Sequence, residues 1–279
     1  MNNNSTKVAV VSGAGGTLCS AMAINLADQG YKVALLGRTL EKLQKVEEQI
    51  TASGGTALSV SADVSNEESV KAASDIIEKE LGVCTVLING AGGNQMEALT
   101  NITEFDEREL LNDGSIKGFF NLNMNVFRSV IDINTMGTVI PSVVFGRVMA
   151  KYKKGVIINI ASMNSYRPLS KVGAYGMAKA GIANFTQWLA AYLAPANIRV
   201  NAIAPGFFLN DRSRKIMFNA DGTQTARAGS VMAHTPMKRF GDAKELIGCM
   251  NWLINDDAAG FVTGIVVPVD GGFLATSGV

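Results

Sequence analysis

The chain has 279 residues, 47% of them hydrophobic and 18% charged, which suits one large α/β domain with a sizeable core. Its 25 basic and 24 acidic residues leave a net charge of +1, with no basic patch for nucleic acid and no polybasic run for a membrane surface. Three cysteines without ligand spacing (Cys19, Cys84, Cys249) and a single histidine, His234, exclude a disulfide framework and a histidine-rich metal site, so no metal is expected.

Residues 1–6 form a polar tail with no signal-peptide core, and no run of 18 apolar residues predicts a spanning helix, so a cytoplasmic protein is expected. Val8 to Val11 is a short apolar run, followed by a glycine turn and a helical pattern through Met22 and Leu26 to Gly30. Val33 to Leu36 is a second run, and Glu41 to Ile50 reads as a helix ended by Gly54-Gly55. Leu58 to Val60 leads into Asp63-Val64; a helix is predicted over Glu67 to Leu81, and a strand over Val86 to Ile88 enters Asn89-Gly90-Ala91-Gly92-Gly93. Further on come a helix around Thr138 to Lys151, a strand at Val156 to Ile160, a long helix from Tyr175 to Leu193, and strands at Ile198 to Ile203 and Ile265 to Val269. Strands that read as continuous apolar runs are buried on both faces, so the alternation predicts a doubly wound parallel sheet with helices on both sides, in one domain spanning 1–279. Two excursions break the rhythm. Residues 93–125 are long and mixed in character, and 206–239 begin polar and basic (Asn210-Asp211-Arg212-Ser213-Arg214-Lys215), as a lid over a substrate would.

The chemistry is written in three places. The turn Ser12-Gly13-Ala14-Gly15-Gly16-Thr17-Leu18-Cys19, between a strand and a helix, suits a phosphate: backbone N–H groups point outward and the helix dipole favours an anion. About 20 residues on, an acid would bind the ribose 2′-hydroxyl of NAD and an arginine the 2′-phosphate of NADP. Arg38 stands there, so charge alone favours NADP and leaves NAD open. Tyr175 and Lys179 are at i and i+4, which share one helix face. A cation beside the phenol would favour its ionised form; moving it from about 10 to about 7 takes roughly 4 kcal/mol. Ser162 ends an apolar strand thirteen residues before Tyr175 and is a candidate to hydrogen-bond the same reacting oxygen.

Taken together, the glycine turn at Gly13, Asp63-Val64, Asn89-Gly90-Ala91-Gly92, Asn134, Ser162, Tyr175 with Lys179, and Pro205-Gly206 resemble the short-chain dehydrogenase/reductase family over nearly the whole chain. The resemblance implies a Rossmann-type sheet of about seven strands, an NAD(P)(H) cofactor and a dimer or tetramer. It implies Tyr175 as acid/base, Ser162 orienting the oxygen, Lys179 holding the nicotinamide ribose and lowering the Tyr175 pKa, and Asn134 supporting a water in a proton relay. Gly13, Gly15, Gly16, Thr17 and Leu18 would cradle the pyrophosphate, Asp63 and Val64 flank the adenine, Asn89, Gly90, Ala91 and Gly92 line the cofactor, and Pro205, Gly206 and Phe208 border the nicotinamide. The chain departs from the family pattern where Thr17 and Cys19 replace the second and third glycines of the turn, where Gly90 precedes Ala91, and in a longer gap from Asn89 to Asn134.

The segments 89–94, 162–169, 184–189, 204–209, 233–237 and 267–273 are similar to the D-mannonate oxidoreductase (fructuronate reductase) branch, which implies a sugar-acid substrate; a gluconate 5-dehydrogenase-like or other polyol dehydrogenase is the alternative, and a nucleotide-binding regulator without turnover the non-enzyme one. A carboxylate suits arginine, so Arg167 and Arg212 are candidate substrate contacts, with Asn94, Asn164 and His234 for hydroxyls.

Overall fold

The computed structural model describes residues 7–111 and 113–276; the polar tail expected at 1–6 lies outside them. The chain runs β1 (Val8–Ser12), α1 (Thr17–Asp28), β2 (Lys32–Gly37), α2 (Leu40–Ala52), β3 (Thr56–Ser61), α3 (Glu67–Glu80) and β4 (Cys84–Asn89). It continues as α4 (Met124–Tyr152), β5 (Gly155–Ile160), α5 (Gly173–Leu193) and β6 (Ile198–Pro205), then α6 (Asp211–Met217), α7 (Ala226–His234), α8 (Ile247–Ile254), α9 (Asp256–Ala259) and β7 (Val266–Val269). The seven strands form one sheet in the order β3-β2-β1-β4-β5-β6-β7, every pair parallel. This is the predicted Rossmann-type α/β fold.

Alternate residues of β1 feed opposite cores, as the two-residue strand period requires. Ala9 and Val11 join Met22, Leu26, Met250 and Leu253 on one face, while Val8 and Val10 join Ile77, Phe145, Met149 and Leu189 on the other. The strand order reverses between β1 and β4, whose C-terminal residues Ser12 and Asn89 are register partners. A crevice opens at such a reversal, beyond the carboxyl ends of the strands.

Helix α4 begins fourteen residues before the predicted start at Thr138, because its first half carries a buried Asn134 and polar residues that mask the apolar period. Asn123 caps it by accepting from the Asn125 and Val126 N–H groups. Its 29 residues and a mean hydropathy of 1.3 over 18 of them would suffice to cross a membrane. Here Val130, Phe145 and Met149 are buried, the last two in the core under the sheet. Among its described residues, the excursion after β4 contains only short 3-10 turns at Met96–Ala98, Glu107–Leu111 and Phe119–Asn121. The 206–239 excursion contains α6 and α7, which close on a small apolar core of Met217, Ala228 and Val231.

Candidate active site

At the crevice, the turn after β1 has no room for side chains. Gly13 takes a positive φ of 71°, and a Cβ there would lie 2.8 Å from the Ala91 nitrogen and the Gly90 oxygen. Gly16 precedes α1 with extended backbone, no side chain caps the helix, and no acid stands in its first turn. The free N–H groups of that end are a cradle for an anion. Ser12, which the sequence did not single out, ties the two halves together: its Oγ accepts from the Gly90 and Ala91 N–H groups at 3.1 and 3.3 Å.

Gly13, Gly15, Gly16, Thr17, Leu18, Arg38, Asp63, Val64, Gly90, Ala91 and Gly92 all line one groove of about 410 Å³. Lys42, in the first turn of α2, lines it too, so Arg38 is not alone at that end; its place four residues beyond Arg38 was the available signal. Asp63 accepts from the Ser65 hydroxyl at 2.6 Å and the Ser65 N–H at 3.0 Å, which with the nearby Arg38 holds its carboxyl below the usual range. Asn210, just before α6, also lines the groove.

Asn89 does not line the groove with its side chain. Its Nδ2 donates to the Ser142 hydroxyl and Asn159 Oδ1, both at 2.9 Å, and Asn159 continues to Thr186. This buried polar chain links α4, β4, β5 and α5, because successive strand residues point to opposite faces. Phe208 is likewise not among the residues that line the groove. It is partly buried against the core, and its ring packs on Gly241, where a Cβ would approach within 2.5 Å. Gly206 does stand where backbone passes closely: a Cβ would lie 2.6 Å from the Asp270 Cα, and its N–H bonds the Val269 carbonyl at 2.9 Å.

The reacting group is assembled by α5 and the turn after β5. Ser165 Oγ donates to the Lys179 carbonyl at 2.6 Å, pinning that turn to α5 and setting the Ser162 hydroxyl against the Tyr175 phenol. Lys179 is 4% exposed; its Nζ donates to the Ile160 carbonyl at 2.6 Å and lies 5.7 Å from the Tyr175 ring centroid. Desolvation pulls its pKa down to about 8. The expectation that Lys179 lowers the Tyr175 pKa is not met: burial raises the phenol, and the lowering influence is the Ser162 hydroxyl. The ammonium is directed at Ile160 and the ring face, and its own desolvation limits the charge it offers.

Asn134, wholly buried, grips the loop after β4. Its Nδ2 donates to the Gly93 and Val130 carbonyls, both at 2.7 Å, and its Oδ1 accepts the Gly93 N–H at 3.1 Å. The amide is thus occupied by backbone, so a relay water would have to meet another atom.

The predicted substrate contacts are less converged. Asn164 is 4% exposed; its Oδ1 accepts the Leu169 N–H at 2.9 Å, and its Nδ2 has no hydrogen-bond partner among the described residues. Arg167 is exposed, and its Nη1 donates to the Thr276 carbonyl at 2.5 Å. His234 ends α7 exposed, with Nδ1 on the Ser230 carbonyl at 2.8 Å. Asn94 bonds the next N–H in the chain. The Arg212 side chain lies outside the described residues. Among the described residues no group of three His, Cys, Asp or Glu is placed for a metal ion.

The sheet order and the grouping of Ser162, Tyr175 and Lys179 beside the groove have a counterpart in sequence comparison: residues 7–219 match the short chain dehydrogenase family. The chain belongs to that family of oxidoreductases. UxuB of Bacillus subtilis, an uncharacterised oxidoreductase, is 47% identical over 277 residues, 99% of this chain and 98% of its own. A crystal structure from Haemophilus influenzae, of a protein provisionally named D-mannonate oxidoreductase and holding NAD, is 42% identical with a TM-score of 0.92, covering 100% of this chain and 99% of that one. A 2-dehydro-3-deoxy-D-gluconate 5-dehydrogenase of Formosa agariphila is 32% identical over 98% of this chain and 94% of its own.

Proposed function

We propose that the protein is an NAD(P)-dependent oxidoreductase that interconverts a keto sugar acid and its hydroxy acid, D-fructuronate and D-mannonate first among them. The observation that carries this reading is the Ser162–Tyr175–Lys179 grouping beside a groove lined by glycines too crowded for side chains. The Haemophilus relative, similar over the whole chain, supports the substrate class. When bound, the dinucleotide supplies or accepts the hydride.

The chain's own residues do the rest. The uncapped start of α1 and the Gly13 turn hold the pyrophosphate. In reduction, Tyr175 gives its phenolic proton to the carbonyl oxygen as that oxygen gains charge, and the Ser162 hydroxyl hydrogen-bonds the same atom. Lys179 anchors the ribose hydroxyls. Because burial raises the Tyr175 pKa, the phenol is protonated at neutral pH and suited to act as the acid. Arg167, on the loop that begins at Ser162, binds the substrate carboxylate, and the 206–239 segment closes over it. Arg38 and Lys42 favour a 2′-phosphate, whereas the Haemophilus relative holds NAD. A homodimer or tetramer would cover the exposed stack of Trp188 on Tyr192 along α5, whose rings are 5.2 Å apart.

The Formosa relative favours one alternative, a gluconate 5-dehydrogenase-like activity on another hydroxy acid. A nucleotide-binding regulator without turnover is disfavoured by the complete catalytic set of Asn134, Ser162, Tyr175 and Lys179. Following nicotinamide absorbance across a panel of sugar acids separates the three. Turnover on D-fructuronate above the other acids is expected; a preference for a gluconate derivative would move the assignment, and cofactor binding without turnover would favour the regulator.

A further inference from the structure

Two departures from the family's sequence pattern, Cys19 in the glycine turn and Gly90 after β4, meet at one point in space. A Cβ built on Gly90 would collide with the Cys19 sulfur, and would lie 3.2 Å from the Ser12 oxygen and 3.3 Å from Ile160. The sulfur therefore fills the volume that a side chain at position 90 would take. Cys19 is 4% exposed yet belongs to the groove lining, and its thiol lies near the Lys179 ammonium. Lys179 in turn bonds the Ile160 carbonyl, on the same side of Gly90.

We propose that Cys19 is a positioning residue of this site: its sulfur substitutes for the side chain absent at Gly90, completes the groove floor, and keeps Lys179 dry and directed for the dinucleotide. The thiol is not a nucleophile here, since burial pushes it up to about 12 and leaves it protonated. The proposal rests on the groove being a nicotinamide-dinucleotide site. It makes residues 19 and 90 one unit: either the helix or the strand end supplies the floor, and not both or neither.

The test is a double-mutant cycle with C19A, G90A and C19A/G90A. Three readouts are taken: the Kd for NADH and for NADPH from protein fluorescence, the melting temperature without cofactor, and the pH dependence of Kd. G90A alone forces a methyl into the sulfur and should weaken the tighter-bound cofactor roughly tenfold and lower the melting temperature. C19A alone opens a hole that admits water, so Lys179 stays protonated to higher pH and the break in the Kd–pH curve moves up. C19A/G90A should regain wild-type Kd to within about threefold, and the wild-type pH break, because the methyl introduced at position 90 replaces the sulfur. Additive losses, or recovery of melting temperature without recovery of Kd and of the pH break, would reduce Cys19 to a packing residue and overturn the proposal. A wild-type protein that binds neither dinucleotide would overturn the proposed function itself, and this inference with it.

Discussion

Tyr175 and Lys179 are four residues apart, yet their protonation is governed less by each other than by burial. Burial raises the phenol, so the proton needed for reduction is in place at neutral pH, whereas oxidation of the hydroxy acid needs the scarcer phenolate. Oxidation should therefore gain in kcat/KM as pH rises through the alkaline range, while reduction at neutral pH stays near its plateau. Tyr175→Phe should lower both by about 10²–10⁴-fold, and retained turnover would remove Tyr175 from the chemistry. Lys179 carries a stability consequence with a definite sign. Its pKa falls from 10.5 to about 8 on folding, so between those values the unfolded chain holds a proton that the folded chain has lost, and stability rises with pH across that window. The gain is roughly 3 kcal/mol at most. Relative to Lys179→Met, the wild type should become more stable in urea titrations between pH 8 and 10; a difference that stays flat would mean the amine is not desolvated. Arg38 and Lys42 together make Arg38→Asp the sharper probe of the cofactor: it should move the Kd ratio from NADPH toward NADH. A wild type that already prefers NADH would leave that charge without a phosphate to bind.

At the scale of elements, the strands were the most legible part of the sequence. Val8–Ser12, Lys32–Gly37 and Gly155–Ile160 are nearly unbroken apolar runs because a parallel sheet is covered on both faces. The start of α4 was not legible, since Asn134 and its polar neighbours disguise the helical period. The gathering of the turn glycines along one groove was legible from spacing, but side-chain direction was not: Asn89 turns into the polar chain with Ser142 and Asn159, and Phe208 turns onto Gly241. No local pattern encodes those directions, which depend on which helix crosses behind the strand. The same limit hid the principal contact of Asn134. From α4 it holds Gly93, whose φ of 144° only glycine adopts readily, and so fixes the loop that borders the groove. Asn134→Ala would leave the Gly93 N–H and two carbonyls without this partner, a loss of about 2–4 kcal/mol. Chemical denaturation should show that loss together with weakened cofactor binding. Unchanged stability would mean that water replaces the amide and that the loop does not depend on α4.

Across the whole molecule, the proposed substrate end is built from segments far apart in sequence. Tyr166, in the loop after β5, donates to the Val266 carbonyl of β7 at 2.6 Å, and Arg167 reaches Thr276 near the end of the chain. The loop that carries Ser162 is thus tied to the sheet edge and to the C-terminal segment, while α6 and α7 share their own apolar core. Arg167 has two separable roles in this arrangement. One Nη1 bond fastens the C-terminal segment; the other guanidinium donors are proposed to hold the substrate carboxylate, turning binding energy into orientation of the ketone. If the carboxylate contact is equal in ground and transition states, Arg167→Ala should raise KM for D-fructuronate with little change in kcat. It should also erode the preference for the acid over uncharged D-fructose, which the wild type should show clearly. Arg167→Lys retains charge and loses the bidentate fork, so it should fall between the two. Loss of the C-terminal tie alone predicts something different: a lower melting temperature and equal effects on charged and neutral ketoses. Comparable wild-type efficiency on D-fructuronate and D-fructose would leave the fold and the Ser162–Tyr175–Lys179 grouping intact, but would refute the sugar-acid assignment.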